Sequence, residues 1–163
     1  MNKSDGVRIE LAPAATEDVR ALVNELEAVL AAEYLPEQRH GLALDALFQP
    51  HIRFFVARLG GAAVGCGGVA LFSDFAEVKR MYVRDAARRR GVAAALLTRL
   101  EEEARHAGHS WLRLETGDNQ LAAMQLYAWA GFRRCEAFGD YALMTPQSIV
   151  TSVFFEKRIG AAQ

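Results

Sequence analysis

The chain has 163 residues, of which 52% are hydrophobic and 24% are charged, as is ordinary for a globular protein. Its length predicts a single domain over residues 1–163 with one hydrophobic core. The formal net charge of −1 argues against nucleic acid or an anionic membrane surface as a partner. Two cysteines that are far apart, Cys66 and Cys135, argue against a disulfide framework, and the four histidines lack metal-ligand spacing. No apolar run has the length of a signal peptide or a membrane span, so we expect a cytoplasmic protein.

The first fifty residues predict a strand followed by two helices. Residues Val7 to Leu11 alternate weakly, as a strand does, and Thr16 is placed to cap the helix that follows. Apolar residues then recur at helical spacing from Val19 to Leu30, until Pro36 breaks the pattern. A short second helix is predicted from Gly41 to Phe48.

A β-hairpin is predicted next. Its strands are Ile52 to Leu59 and Ala62 to Phe72, and Gly60-Gly61 between them is a strong turn signal. The second strand contains Gly65, Gly67 and Gly68, which weaken a strand and indicate a bulge or a close approach of another backbone.

Strands and helices alternate in the rest of the chain, and a glycine follows each helix where it should stop. The predicted elements are a strand over Phe75–Val83, a helix over Val92–Ala107, a strand over Trp111–Thr116, a helix over Gln120–Ala130, and strands over Phe132–Phe138 and Ser152–Arg158. The strand–helix–strand order predicts a right-handed crossover that leaves the fourth and fifth strands parallel. The fold class is therefore α/β or α+β.

The segment from Val83 to Ala93 carries the strongest functional signal. A strand ends, a basic turn of Arg88, Arg89 and Arg90 follows, and a helix opens at Gly91. The first amides of a helix lack intrahelical partners and the helix dipole adds positive charge there, so such an end binds anions, above all phosphate. Alone, the arginine run would indicate a solvated turn or a phosphate patch for RNA. An RNA-binding surface would be broader and would carry aromatic residues.

Arg88-Arg89-Arg90-Gly91-Val92-Ala93 resembles the R/Q-x-x-G-x-G/A motif of the GNAT superfamily of acetyltransferases, whose backbone amides hold the pyrophosphate of coenzyme A. Its context agrees, because Glu77 to Val83 resembles the fourth strand of that family. Gln120 to Phe132 resembles its later A-x-x-L-Y-x-x-x-G-F element, with Gln120 where the family often has Asn. The resemblance covers the chain from Ile52 to Arg158.

The resemblance also implies the fold and a bacterial subgroup. The GNAT fold is a mixed, mostly antiparallel sheet of about six to seven strands with one parallel, splayed pair, flanked by about four helices. A closer similarity is to a subgroup called indoleacetate acetyltransferase-like. It is carried by Leu114–Gly117, Phe138–Tyr141 and Ser152–Lys157.

By this resemblance, the reaction is direct transfer of an acetyl group from acetyl-CoA to an amine in a ternary complex, without a metal. The implied cofactor contacts lie on the fourth strand, the basic turn and the last helix. They are Met81, Tyr82, Val83, Arg88, Arg89, Arg90, Gly91, Val92, Ala93, Gln120 and Tyr127. A backbone amide near Met81 would polarise the thioester carbonyl.

Two side chains are the candidate catalytic residues. Glu77 resembles the glutamate that deprotonates the amine in some family members, and the alternative is a structural pair with Lys79 on the same face of the strand. Tyr127 resembles the phenol that protonates the leaving thiolate, and the alternative is packing beside Leu126 and Phe132. No nearby His or Asn pattern supports a cysteine nucleophile.

The acceptor is left open by the sequence. A small-molecule amine is favoured, and the alternatives are a protein lysine or N-terminus, and a non-catalytic module that senses acyl-CoA. We expect acceptor contacts between Ala28 and His51 and between Gly139 and Thr151. The alternative to a monomer is a homodimer in which the apolar strand at Val153–Phe155 serves as an edge.

Overall fold

A computed structural model describes residues 6–160, so both ends of the predicted domain 1–163 lie outside the described range. Within that range, seven strands form one sheet, and three α-helices pack on it. The strands are β1 (Val7–Leu11), β2 (Ile52–Leu59), β3 (Ala62–Leu71), β4 (Ala76–Val83), β5 (Trp111–Gly117), β6 (Arg133–Cys135) and β7 (Ser152–Arg158). The helices are α1 (Glu17–Glu33), α2 (Val92–His106) and α3 (Leu121–Trp129), with short 3-10 turns at Pro36–Gln38, Leu44–Phe48, Asp85–Ala87 and Gly139–Leu143.

The strand order is β1-β2-β3-β4-β5-β7-β6, and every neighbouring pair except one is antiparallel. The exception is β4 with β5, which are joined through α2 and run parallel. Only Ala76 with Leu112 and Glu77 with Arg113 are paired there, and beyond them the two strands separate. The predicted mixed sheet with a parallel, splayed pair is therefore confirmed.

Local signals set the ends of several elements as predicted. Thr16 caps α1, its Oγ1 accepting a hydrogen bond from the amide of Val19 at 3.4 Å. Gly60 and Gly61 turn the hairpin with φ of 57° and 86°, which a residue with a side chain rarely adopts. Gly108 follows α2 with φ of 88° and stops it.

The glycines of β3 permit close contacts, as the sequence indicated. A Cβ on Gly65 would lie 2.9 Å from the carbonyl oxygen of Tyr82, and a Cβ on Gly68 would lie 2.9 Å from the ring of Phe54. The register between β3 and β4 also shifts between Cys66 and Gly68, which is the predicted bulge.

Two predictions are wrong, one about a helix and the other about an edge of the sheet. The segment predicted as a helix from Gly41 to Phe48 contains only a 3-10 turn at Leu44–Phe48, so residues 6–160 hold three α-helices rather than four. Its first residues are not helical, and there Arg80 donates from Nε to the carbonyl of Leu42 at 2.9 Å while its guanidinium fills the space beside Gly41.

The last strand is not an edge either. β7 lies between β5 and β6, and β6 pairs with it over Phe154, Phe155 and Glu156, so most of the segment Val153–Phe155 is not a free edge. The strand predicted over Phe132–Phe138 pairs only over Arg133–Cys135. Beyond it, Phe138 turns inward and packs edge-on against Phe154.

The sheet buries apolar residues on both faces. One cluster joins α2 to the sheet through Leu96, Leu100 and Leu112, all fully buried. The other joins α1 to β2 and β3 through Val19, Leu22 and other side chains of its apolar stripe. No helix within residues 6–160 combines the length and hydropathy needed to cross a membrane.

Candidate active site

Two cavities meet where β4 and β5 separate. The outer one, about 820 Å³, is bordered by the end of β4, the basic turn, the start of α2 and α3. The inner one, about 120 Å³, is bordered by β4, β5, the end of α1 and the turn that follows it. Both are lined by Leu26, Met81, Gln120, Ala123 and Tyr127, which therefore mark their junction.

The outer cavity contains an anion-binding helix terminus. Gly91 adopts φ of 80° and precedes α2, whose first bond runs from the amide of Ala95 to the carbonyl of Gly91. The amides of residues 92–94 precede that bond, so they are free to bind a ligand. No atom lies within 4 Å of where a Cβ on Gly91 would project, so the space beside it is open.

Every predicted cofactor contact except Arg90 lines this outer cavity. Arg90 is exposed and lies outside the lining. Arg88 pairs with Asp85 at 2.9 Å, but both side chains are largely exposed, so this pair contributes little to stability and leaves the arginine available. The sequence motif and the cavity therefore coincide.

Glu77 lies in the inner cavity within a buried network. Its Oε2 accepts a hydrogen bond from the hydroxyl of Tyr141 at 2.7 Å and pairs with Nζ of Lys79 at 2.8 Å. Lys79 also donates to the oxygen of Tyr141 at 3.0 Å. Burial, then the charge of Glu77, raise the pKa of Tyr141 above the range of an ordinary tyrosine. The structural pair that the sequence offered as the alternative for Glu77 is therefore present.

Glu115 is a second carboxylate in the inner cavity, and it is not among the catalytic residues predicted from the sequence. It lies on β5, and its Oε2 accepts a hydrogen bond from the hydroxyl of Ser152 on β7 at 2.6 Å. Burial raises the pKa of Glu115, and the hydrogen bond from Ser152 only partly opposes that effect. Strand alternation was the available signal: Leu112 and Leu114 enter the core, so Glu115 faces the other side.

Tyr127 satisfies both interpretations of its position. Its ring packs against Phe132 and Phe155, with centroids 5.9 and 6.0 Å away, and only 6% of the residue is exposed. It also borders both cavities at their junction. Burial, with a smaller contribution from the charge of Glu115, raises the pKa of Tyr127 to about 12.

Tyr34, at the end of α1, stabilises the wall of the inner cavity that lies opposite the sheet. Its hydroxyl accepts a hydrogen bond from the amide of Asn119 at 2.9 Å, and Gly117 has no room for a Cβ beside it. Nearby, His40 must donate from Nε2 to the carbonyl of Ser148 at 2.8 Å, because a carbonyl can only accept. His40 and Tyr141 both line the inner cavity, so both predicted acceptor segments border it.

Arg39 lies on the same wall and lines the inner cavity. Its Nε is buried and has no hydrogen-bond partner among residues 6–160. A buried donor without a partner destabilises a protein by about 1–3 kcal/mol. Such a group in a cavity is a candidate for contact with a ligand.

Neither cysteine is prepared for nucleophilic attack. Burial raises the pKa of Cys66 to about 12 and that of Cys135 to about 11, so both are thiols at neutral pH. Nor do the side chains of residues 6–160 contain a group of three or more His, Cys, Asp or Glu placed to hold a metal ion.

Comparison with known proteins agrees with this architecture. Residues 19–132 match the model of the Acetyltransferase (GNAT) family. IAA acetyltransferase from Azospirillum brasilense is 43% identical over 138 residues, covering 83% of this chain and 87% of that protein. The crystal structure of a candidate acyl-CoA N-acyltransferase from Klebsiella pneumoniae aligns with a TM-score of 0.75 at 31% identity, over 94% of this chain and 97% of that one.

A more distant structure shares the fold alone. PaiA N-acetyltransferase from Thermoplasma acidophilum, solved in complex with coenzyme A, aligns with a TM-score of 0.65 at 16% identity, over 93% of this chain and 99% of that one. The family match spans the end of β4, the basic turn, α2 and α3, which together border the outer cavity. The chain therefore belongs to the GNAT family and is an N-acetyltransferase.

Proposed function

We propose that the protein transfers an acetyl group from acetyl-CoA to the amine of a small molecule by direct transfer in a ternary complex. Acetyl-CoA supplies the activated thioester, and the chain supplies two adjoining cavities that hold the two substrates side by side. The observation that carries this proposal is the junction of those cavities at the separation of β4 and β5. A single domain over residues 1–163 and a cytoplasmic location belong to the same proposal.

The residues of the outer cavity fit coenzyme A. The amides of Val92 and Ala93 would hold the pyrophosphate, and Arg88 and Arg89 would add positive charge beside it. The end of β4 has no paired residue on β5 beyond Glu77, which leaves backbone groups near Met81, Tyr82 and Val83 for the pantetheine arm. An amide near Met81 would polarise the thioester carbonyl.

The amine must lose a proton, and two carboxylates line the cavity proposed for it. Glu77, for which the sequence left the roles of base and structural pair open, is engaged at one oxygen by both Tyr141 and Lys79. Glu115 is engaged by the neutral hydroxyl of Ser152, and its raised pKa makes it a stronger base than an ordinary carboxylate. We therefore propose that Glu115 accepts the proton and that Glu77 has a positioning role. The alternative is that Glu77 itself accepts the proton.

Tyr127 is proposed to assist the leaving sulfur. Its pKa of about 12 keeps the phenol protonated at neutral pH. An ordinary thiol has a pKa of about 8.5, below that of Tyr127, so full proton transfer from Tyr127 to the thiolate would be uphill. Tyr127 therefore acts by donating a hydrogen bond to the developing charge, and solvent completes the protonation.

Binding and turnover measured together test the proposal. Calorimetry with acetyl-CoA compares the wild-type protein with Gly91→Glu, which places a carboxylate where the phosphate should lie. Gly61→Glu is a matched control, because Gly61 also has a positive φ and open space around it but lies in the hairpin turn. We expect loss of binding in Gly91→Glu only. Thiol release with a panel of amines then separates an enzyme from a sensor that binds without turnover.

A further inference from the structure

Two guanidinium groups share one carboxylate at the wall of the inner cavity. Arg80 donates to Oε1 of Glu27 and, from Nε, to the carbonyl of Leu42 at 2.9 Å. Nη1 of Arg39 lies 3.6 Å from Oε2 of the same Glu27, which is too far for a hydrogen bond. One negative charge thus balances one of two positive charges, and this wall keeps an excess of positive charge.

Arg39 also has an N–H donor that is not used in a hydrogen bond within the described residues. Its Nε is buried without a hydrogen-bond partner among residues 6–160, and only 24% of its side chain is exposed. A guanidinium presents its N–H groups as a planar fork that matches the two oxygens of a carboxylate. Arg80 offers no such fork, because the carbonyl of Leu42 already occupies its Nε.

The side of the inner cavity that the sheet forms has an excess of negative charge. Glu77 and Lys79 neutralise each other at 2.8 Å. Glu115 is held by the uncharged Ser152, and within residues 6–160 no basic group lies at salt-bridge distance from it. The nearby basic side chains, His40 and Lys79, are bonded to Ser148 and Glu77 instead. The cavity is therefore positive on the side of Arg39 and negative at Glu115.

We infer that the acceptor is an amino-carboxylate, a molecule that carries both the amine to be acetylated and a carboxylate group. The carboxylate binds Arg39, and the ammonium group lies toward Glu115, so that the two charges of the ligand oppose those of the cavity. This inference rests on the proposed function, because it names the acceptor of the same site. A second cationic group in place of the carboxylate would be repelled by Arg39 and Arg80.

The chemistry balances with these groups. The ammonium gives one proton to Glu115 and becomes a neutral amine. Its nitrogen bonds to the acetyl carbon while the bond from that carbon to sulfur breaks. The second proton lost by nitrogen matches the one gained by sulfur, so the products are the N-acetylated acid, coenzyme A as thiol, and the proton on Glu115, which passes to solvent.

Matched acceptors test the inference. The wild-type protein is assayed by thiol release and product mass, with saturating acetyl-CoA. The acceptors are the twenty common L-amino acids, β-alanine and 4-aminobutyrate, each beside its carboxamide. We expect the best acid to exceed its carboxamide in kcat/KM by about 10- to 100-fold, as for a charge-assisted bidentate contact. The amine of an α-carboxamide is less basic and more often neutral, which biases the comparison against this result.

Variants of Arg39 distinguish a loss of carboxylate recognition from a general loss of activity or folding. Arg39→Gln should reduce the preference for acid over carboxamide about tenfold, mainly through the KM of the acid. Arg39→Lys keeps the charge without the fork and should give an intermediate preference. Arg8→Gln removes an exposed arginine of β1, which pairs with Glu10 at 3.5 Å, and should leave the preference unchanged. Melting temperatures report whether each variant is folded.

The results distinguish the class of acceptor from the proposed function itself. If the protein binds acetyl-CoA and acetylates carboxamides or simple amines as well as acids, the inference is overturned and the proposed function stands. An unchanged preference in a folded Arg39→Gln overturns it in the same way, as does turnover of simple amines alone. If acetyl-CoA does not bind and no acceptor releases thiol, the proposed function itself is rejected.

Discussion

Replacing each carboxylate of the inner cavity by its amide separates proton transfer from structural support. Glu115→Gln keeps the shape of the side chain and can still accept from Ser152, but it cannot take a proton from the amine. General bases contribute about a hundred- to ten-thousand-fold, so we expect turnover at neutral pH to fall by that factor. The rate should recover partly as pH rises and more of the amine becomes neutral. The melting temperature should change little.

Glu77→Gln should behave differently, because it leaves Lys79 without its counter-charge. The two side chains are 4% and 11% exposed. Removing one partner of a buried ion pair destabilises a protein by about 3–5 kcal/mol. For a domain of this size each kcal/mol lowers the melting temperature by about 2–4 °C, so we expect a decrease of roughly 6–20 °C. The double variant Glu77→Gln/Lys79→Met removes both charges and should regain most of that stability.

The assay is thiol release with the best acceptor from pH 6 to 9, measured below the melting temperature of each variant. A Glu115→Gln protein within twofold of wild type at every pH would refute the assignment of the base to Glu115. If Glu77→Gln and the double variant lost a hundredfold in rate at the same time, Glu77 would be the base.

Other variants test the remaining assignments. Tyr127→Phe should lower turnover about tenfold, which is less than the hundredfold or more that a full general acid contributes, with unchanged affinity for acetyl-CoA by calorimetry; full activity would leave Tyr127 as a packing residue. The raised pKa of Glu115 means that wild-type stability declines as pH rises from the ordinary carboxyl value of 4.5 through the raised one. Chemical denaturation should find that Glu115→Gln lacks this decline. Thr16→Ala should lower the free energy of unfolding by about 1 kcal/mol or less, since its cap bond is long.

The elements that the sequence predicted best are those specified by neighbouring residues. Turns at Gly60-Gly61 and Gly108 need a positive φ, and the cap at Thr16 needs only a residue three positions away. The segment at Gly41–Phe48 differs from the predicted helix, and its first residues contact Arg80, which is 38 residues from Leu42 along the chain.

The candidate active site also has one part that neighbouring residues specify and another that depends on distant residues. The basic turn and Gly91 form a contiguous motif, so the outer cavity could be predicted from local sequence. The inner cavity depends on contacts between distant residues: Tyr141 reaches Glu77 across 64 positions, and Ser152 reaches Glu115 across 37. Strand alternation could have placed Glu115 on the correct face, but only the fold could place Ser152 beside it.

The two paired positions between β4 and β5 have a consequence for motion. They divide the sheet into two sets, β1 to β4 and β5 to β7, and each set is internally joined by longer antiparallel ladders. Few backbone hydrogen bonds join the two sets, or units, at this seam, so local opening should begin there even though α2 packs on both. Amide hydrogen exchange should therefore be faster along the seam than within either set. A cofactor lying in the seam would bridge both units, and its binding should slow exchange on both sides at once.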